Sequence, residues 1–230
     1  METSLHRSLK EHYAAGGRPE VALEGYRIDA VDDEGRLIEV QSGPLGPLRG
    51  KLRRLLPGHR VRVVKPVVLR RRVVRRARAD GPDLSARSSP RRGAMLDVFD
   101  DLIGVVQVFP HANLEIEVLG VTIDEIRLPR RRRPGYTVAD RRLESIGPSA
   151  LLARAEDLWT LLPDGCDGGG PFTTFDLADR IERPRWFAQR VAYCLRQTGA
   201  AQVSGKSGNR LVYIRARSSE IELPALVGSG

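Results

Sequence analysis

Glu20, Asp29, Glu39 and Gln41 have the residue types and spacing for metal-assisted chemistry on phosphate. With period two, YRIDAV (26–31) places Ile28 and Ala30 on one face and Asp29 on the other. RLIEVQ (36–41) likewise separates Ile38 and Val40 from Glu39 and Gln41. Burying the two aliphatic faces together predicts Asp29, Glu39 and Gln41 on a common face, provided residue 31 pairs with residue 37 across the DDEG turn. Carboxylates at facing positions repel unless a cation lies between them, and hard oxygen donors on strands suit Mg²⁺ or Mn²⁺.

The elements that must position these residues follow from local pattern. Residues 4–14 carry Leu5, Leu9, His12 and Tyr13 at helical spacing behind Ser4, and Gly16-Gly17 ends that helix. Residues 21–31 and 36–41 then read as a hairpin. LGPLRGKLRRLL (45–56) predicts a helix with Leu48, Leu52, Leu55 and Leu56 on one face. VRVV (61–64) predicts a buried strand, and PVVLRRRVVRR a strand with a basic extension. Residues 77–93 read as loop, 94–107 as an amphipathic helix, and 114–121 and 123–128 as strands. The order of helix, strand, hairpin, helix and strand predicts an α/β core.

The series Glu20, Asp29 in YRIDAV, and Glu39-Val40-Gln41 resembles the PD-(D/E)xK, or restriction-endonuclease-like, nuclease superfamily over residues 4–75. The nearest pattern is that of the branch including Holliday-junction resolvases, where ExQ replaces ExK. The resemblance implies metal ligation by Asp29, Glu39 and the Val40 carbonyl, with Glu20 as a third carboxylate. It implies hydrolysis of DNA phosphodiesters with Mg²⁺ or Mn²⁺, Gln41 or Glu20 positioning the attacking water. Gln41 departs from the common Lys and brings no positive charge to the attacked phosphate. The alternative is a catalytically degenerate nuclease fold that binds DNA or regulates.

Charge points to a polyanion. The 230 residues carry 38 basic and 29 acidic side chains, a net of +9, and 34 of the basic ones are Arg. Residues 49–92 hold 16 basic residues against Asp80 and Asp83 alone, while the rest of the chain is mildly acidic. This is the footprint of a DNA-binding segment, with Arg70, Arg72, Arg75 and Arg76 as expected phosphate contacts.

A second unit is expected after a break at Gly147-Pro148, giving domains 1–146 and 147–230. ALLARAEDLWTLL (150–162), TFDLADRI (174–181) and PRWFAQRVAYCLRQTG (184–199) read as helices, with the PDGCDGGGP loop after the first. AAQVSG and NRLVYIRA read as a hairpin, and the whole resembles the winged helix-turn-helix family. That implies base or backbone contacts from Arg185, Gln189 and Arg190 on the second helix of the motif, and from Lys206 and Arg210 at the wing. Other candidates carry less. His6, His12, His59 and His111 lack metal-motif spacing, Gly205-Lys206-Ser207 sits at a hairpin tip, and Cys194 falls on an apolar helix face beside Val191 and Leu195. Cys166 and Cys194 do not make a zinc site or a disulfide scaffold. Apolar runs are too short to span a bilayer, and no secretory signal opens the chain, so a cytoplasmic protein is expected; a homodimer is compatible with the pattern.

Overall fold

The computed structural model describes residues 3–166 and 170–216; residues 167–169 of the PDGCDGGGP loop lie outside this range. The fold is α/β. Helix α1 (Ser4–Tyr13) starts where the Thr3 hydroxyl accepts the His6 N–H, and it buries Leu5 and Leu9. Strands β1 (Arg18–Leu23) and β2 (Tyr26–Val31) turn back on each other through Glu24-Gly25, with φ of 49° and 79°. Two positive φ values in a two-residue loop match the twist of an antiparallel pair. Strand β3 (Leu37–Val40) follows, then helix α2 (Leu48–Leu55) and strand β4 (Val61–Arg76). The two strand segments read at 61–76 are one strand. The helix–strand–hairpin–helix–strand order is as the pattern predicts, although the single strand read at 21–31 is broken at Glu24-Gly25 into β1 and β2.

A seven-stranded sheet runs β1-β2-β3-β4-β6-β7, and β5 (Asp83–Ser88), within the expected loop, adds to the far half of β4. Strands β6 (Leu114–Pro129) and β7 (Tyr136–Leu152) are long, and β3, β4 and β6 are mutually parallel. The expected helix at 94–107 is instead a 3₁₀ turn, Met95–Val98, running into a four-residue helix α3 (Phe99–Leu102). One face of the sheet packs on α1, where Leu5 and Leu9 join Ala30, Ile38, Val40 and Val64. The other face, with Val31, Leu37 and Val63, packs on the α2 leucines and on Phe99.

The break read at Gly147-Pro148 lies inside β7, which continues to Leu152 and covers part of the helix expected at 150–162; a 3₁₀ helix at Ala155–Leu161 is the remainder. Ladder irregularities with β6 sit there, between Leu119 and Val121. A Cβ on Gly120 would lie 2.6 Å from Leu69 Cδ1 and 3.1 Å from the Pro148 carbonyl, so glycine lets β7 approach. Beyond β7 come α4 (Thr174–Arg180), α5 (Arg185–Thr198) and the hairpin β8 (Ala201–Ser207) and β9 (Arg210–Arg215). Phe187, Val191, Cys194 and Leu195 are the buried stripe of α5 and share one hydrophobic cluster with the sheet and α3. Among the described residues no helix is long and apolar enough to cross a membrane.

Candidate active-site cleft

The β2–β3 ladder pairs Val31 with Leu37 and Ala30 with Ile38, the register required for Asp29 and Glu39 to be cross-strand neighbours. Both carboxylates sit just beyond the last ladder pair. Asp29 is held by the opposing backbone, Val40 N–H donating to its Oδ2 at 2.9 Å. Simple alternation fails, however, between Ile28 and Ala30. Ile28 joins the α2-side cluster and Ala30 the α1-side cluster. Glu20, opposite Asp29 in β1, has a φ of 50°, an uncommon conformation for a residue with a Cβ, so both strands are irregular at this pair.

The expected common face is therefore not formed: Asp29 turns to the α1 side of the sheet and Glu39 to the α2 side. Asp29 Oδ1 faces α1, 3.6 Å from Lys10 Nζ and 3.7 Å from His6 Nε2. Burial pushes its pKa up, but the His6 bond, the Val40 N–H and the Lys10 charge outweigh that and hold it below the usual range. Glu39 faces α2, where Lys51 Nζ bonds Oε1 and also donates to the Arg27 carbonyl at 2.6 Å. Here burial dominates: it raises the carboxyl despite Lys51, and the Asp29 charge adds to the rise. Glu20 is ion-paired to Lys10 at 2.7 Å and to Arg27, and these bonds lower its pKa. Gln41 spends its amide nitrogen on the Pro44 carbonyl at 2.7 Å, bracing the loop after β3.

An open cleft of about 470 Å³ lies over this end of the hairpin, lined by Thr3, His6, Lys10, Arg27, Asp29, Gln41, Ser42 and Gly43. Its walls are net basic. Ser42 Oγ is buried there with no hydrogen-bond partner. Lys65 holds the lip by donating to the Gly43 carbonyl at 2.6 Å while pairing with Asp101 at 2.9 Å. Asp29, the Gln41 carbonyl oxygen and the orphaned Ser42 hydroxyl bring oxygen donors of the kind a hard divalent cation takes to the cleft, whereas Glu39, turned to α2, is not among its lining residues. Among the described residues no three His, Cys, Asp or Glu side chains converge as a ready cage.

The cations at this site were missed in the sequence, yet a signal existed. Only four residues are Lys in an Arg-dominated chain, and Lys10, Lys51 and Lys65 are all largely buried against acids beside the hairpin or its loop. His6 and Lys10 also share a helix face at i, i+4.

The expected phosphate contacts divide. Arg72 forks onto Asp124, Arg76 bonds Asp83 at 2.6 Å, and Arg190 bonds Asp100 at 2.6 Å on the surface. Arg70, Arg75 and Lys206 have no side-chain partner among the described residues. Arg185 and Arg210 stack on Phe175 at 4.0 and 3.8 Å and, with Gln189, line a recess of about 190 Å³.

Residues 3–153 match the domain of unknown function DUF8091. The chain belongs to this family. An uncharacterized protein of Treponema pallidum (strain Nichols) is 34% identical over 172 residues, covering 71% of this chain and 68% of that protein. No solved structure matches. The DUF8091 match encloses the cleft and all of β7, and its end at residue 153 falls just after that strand.

Proposed function

We propose that this DUF8091 protein is a metal-dependent DNA endonuclease of the PD-(D/E)xK type, with α4, α5 and the β8–β9 hairpin serving as a winged-helix grip on DNA. The observation that carries the reading is the cross-strand adjacency of Asp29 and Glu39 at the open end of an antiparallel hairpin, with Asp29, held by the Val40 N–H, lining a basic cleft. The α1-β1-β2-β3-α2-β4 order with β4 parallel to β3 supports it. Asp29, Glu39 and the Val40 carbonyl would hold Mg²⁺ or Mn²⁺. When bound there, the ion supplies Lewis acidity toward a phosphoryl oxygen. Lys10 and Arg27, in the cleft wall, supply the positive charge that Gln41 lacks and seat the scissile phosphate. Ser42 Oγ has a free hydrogen-bonding capacity for a phosphate oxygen or the attacking water.

One feature favours the degenerate alternative: Asp29 and Glu39 already have ammonium partners, so Lys10 and Lys51 can neutralise the pair without a metal. Nicking of supercoiled plasmid with Mn²⁺ or Mg²⁺ decides, run beside Asp29→Asn and beside Mn²⁺ titration calorimetry. Cleavage and Mn²⁺ binding, both lost in Asp29→Asn, support the enzyme. DNA binding without cleavage or Mn²⁺ binding would establish the degenerate reading.

A further inference from the structure

Beyond the cleft, β4, β6 and β7 continue as an arm edged by β5. Arg75 pairs with Arg127 eleven residues past Val64, which is level with Val40. At about 3.3 Å per residue the arm tip is up to about 36 Å along β4 from the hairpin end. The tip is therefore a separate place on the molecule. Its β6–β7 turn carries Arg130, Arg131, Arg132 and Arg133, all exposed and without side-chain partners among the described residues. From Arg127 to Tyr136 there are five Arg and no acid. Like charges held on one short turn repel one another unless a polyanion joins them.

Beside the turn is a recess of about 360 Å³, lined by Arg75, Leu84, Arg127, Pro134 and Tyr136 among others. Its volume lies within the range of about 300–1,000 Å³ typical of small-molecule sites. Arg127 is fixed in place: Glu125 accepts its Nε at 2.8 Å and its Nη2 at 2.6 Å. Its guanidinium lies 3.8 Å over the Tyr136 ring. A planar, immobilised arginine–tyrosine stack thus walls the recess, and Leu84, 65% exposed, stands at the edge.

From this geometry we propose that the arm tip is a binding site for single-stranded nucleic acid. One unpaired base enters the recess against the Arg127–Tyr136 stack and Leu84. Arg75 and the Arg130–Arg133 turn take the flanking phosphates through guanidinium forks. A duplex keeps its bases stacked inside and offers the tip phosphates alone. An anionic membrane would need several large aliphatic or aromatic side chains to insert, and among the described residues the tip exposes Leu84 and, less fully, Val138. The site rests on the reading of this chain as acting on nucleic acid, but on residues remote from the cleft.

The test is fluorescence anisotropy of the full chain with labelled oligothymidylate and a duplex of equal length, in EDTA over a salt series. Replacing Arg130–Arg133 with Ala should weaken single-strand binding at least tenfold. It should also flatten the log–log salt slope by about 2–3, at about 0.7 per phosphate lost. The all-Lys version of the turn should keep most of the slope, which shows that a loss in the Ala version is not misfolding. Tyr136→Ala should weaken oligothymidylate about tenfold, leave the slope unchanged and spare the duplex. Unchanged single-strand binding in both the fourfold Ala variant and Tyr136→Ala overturns the proposal, as does loss of binding to phosphatidylglycerol vesicles alone. Asp29→Asn should bind oligothymidylate like the wild type. Failure of cleavage therefore removes the nuclease reading without touching this one.

Discussion

Replacing Lys51 with Met removes the ammonium that neutralises Glu39, in a place where both side chains are largely buried, with exposures of 12% and 7%. If Glu39 stays ionised, a buried charge has lost its partner, a change that costs about 3–5 kcal/mol. If it takes up a proton instead, the cost is set by pH. Keeping neutral a carboxyl that ionises at about 4.3 when unfolded costs about 1.4 kcal/mol per pH unit, hence about 4 kcal/mol at pH 7.5 and about 1 at pH 5. Both routes agree on a large effect at pH 7.5, and only the second keeps it small at pH 5. The direction follows from linkage. A carboxyl raised in the folded state binds its proton where the unfolded chain has lost it, so its stabilisation falls as pH rises above the usual carboxylate value. Removing Lys51 extends that fall to higher pH. Urea unfolding followed by tryptophan fluorescence should therefore show Lys51→Met destabilised by about 3–4 kcal/mol at pH 7.5 and about 1 kcal/mol at pH 5. Adding Glu39→Gln should recover most of the loss, with a coupling well above 0.5 kcal/mol, roughly the limit for independent sites. Equal losses at the two pH values would show that Glu39 stays ionised; no loss at pH 7.5, or additive single variants, would refute the buried ion pair.

Asp29→Asn should flatten the acid limb of stability. The Asp29 carboxyl is held low, so its contribution is full above the usual aspartate value and is lost as pH falls through the folded value; the wild-type advantage in chemical denaturation should shrink below pH 4. Glu125→Gln should cost about 3–5 kcal/mol, seen as a large drop in melting temperature, because Glu125 is 2% exposed and serves Arg71, Arg127 and Arg141 together. Gly120→Ala should cost about 1–3 kcal/mol by overpacking against Leu69 and the Pro148 carbonyl, and Leu69→Ala in the same chain should return part of it.

The fold was legible where periodicity was clean and its punctuation unambiguous. The leucines of α1 and α2, the β2–β3 register and the buried stripe of α5 follow from spacing alone, since a slip would expose them. It was not legible where one strand carries a feature that usually ends strands. Gly147-Pro148 breaks the pattern in sequence, but in space it is an irregularity in an edge strand, where a missing N–H and a bend cost little. Residues 150–152 have helical texture and finish β7 because β6 offers partners at Ile116, Glu117 and Val118. Tertiary pairing overrode propensity there. The short helix at 99–102 shows the converse, an apolar stripe satisfied by irregular turns over the core.

At the candidate site, sequence named the acids and missed what holds them. The spacing of Asp29 and Glu39 carried the register, but period-two logic could not foresee that alternation fails between Ile28 and Ala30, so that Asp29 faces α1 while Glu39 faces α2. Nor could a linear count of charge tell a solvated arginine from one bound to Asp124, Asp83 or Asp100, because those acids are remote in sequence or on another element. The rare lysines carry the missing information. In a chain that uses Arg nearly everywhere, the buried positions next to Asp29, Glu39 and Gly43 use Lys. A guanidinium is wide, planar and directed, whereas an ammonium is compact and can approach one carboxylate oxygen and one carbonyl within a closed space, as Lys51 does between Glu39 and Arg27. Arg at position 51 would have to fit its fork where a single ammonium sits, displacing the Glu39 carboxylate from its place at the open end of the hairpin. The choice of Lys at these positions is therefore tied to the same geometry that makes the carboxylate pair a candidate site.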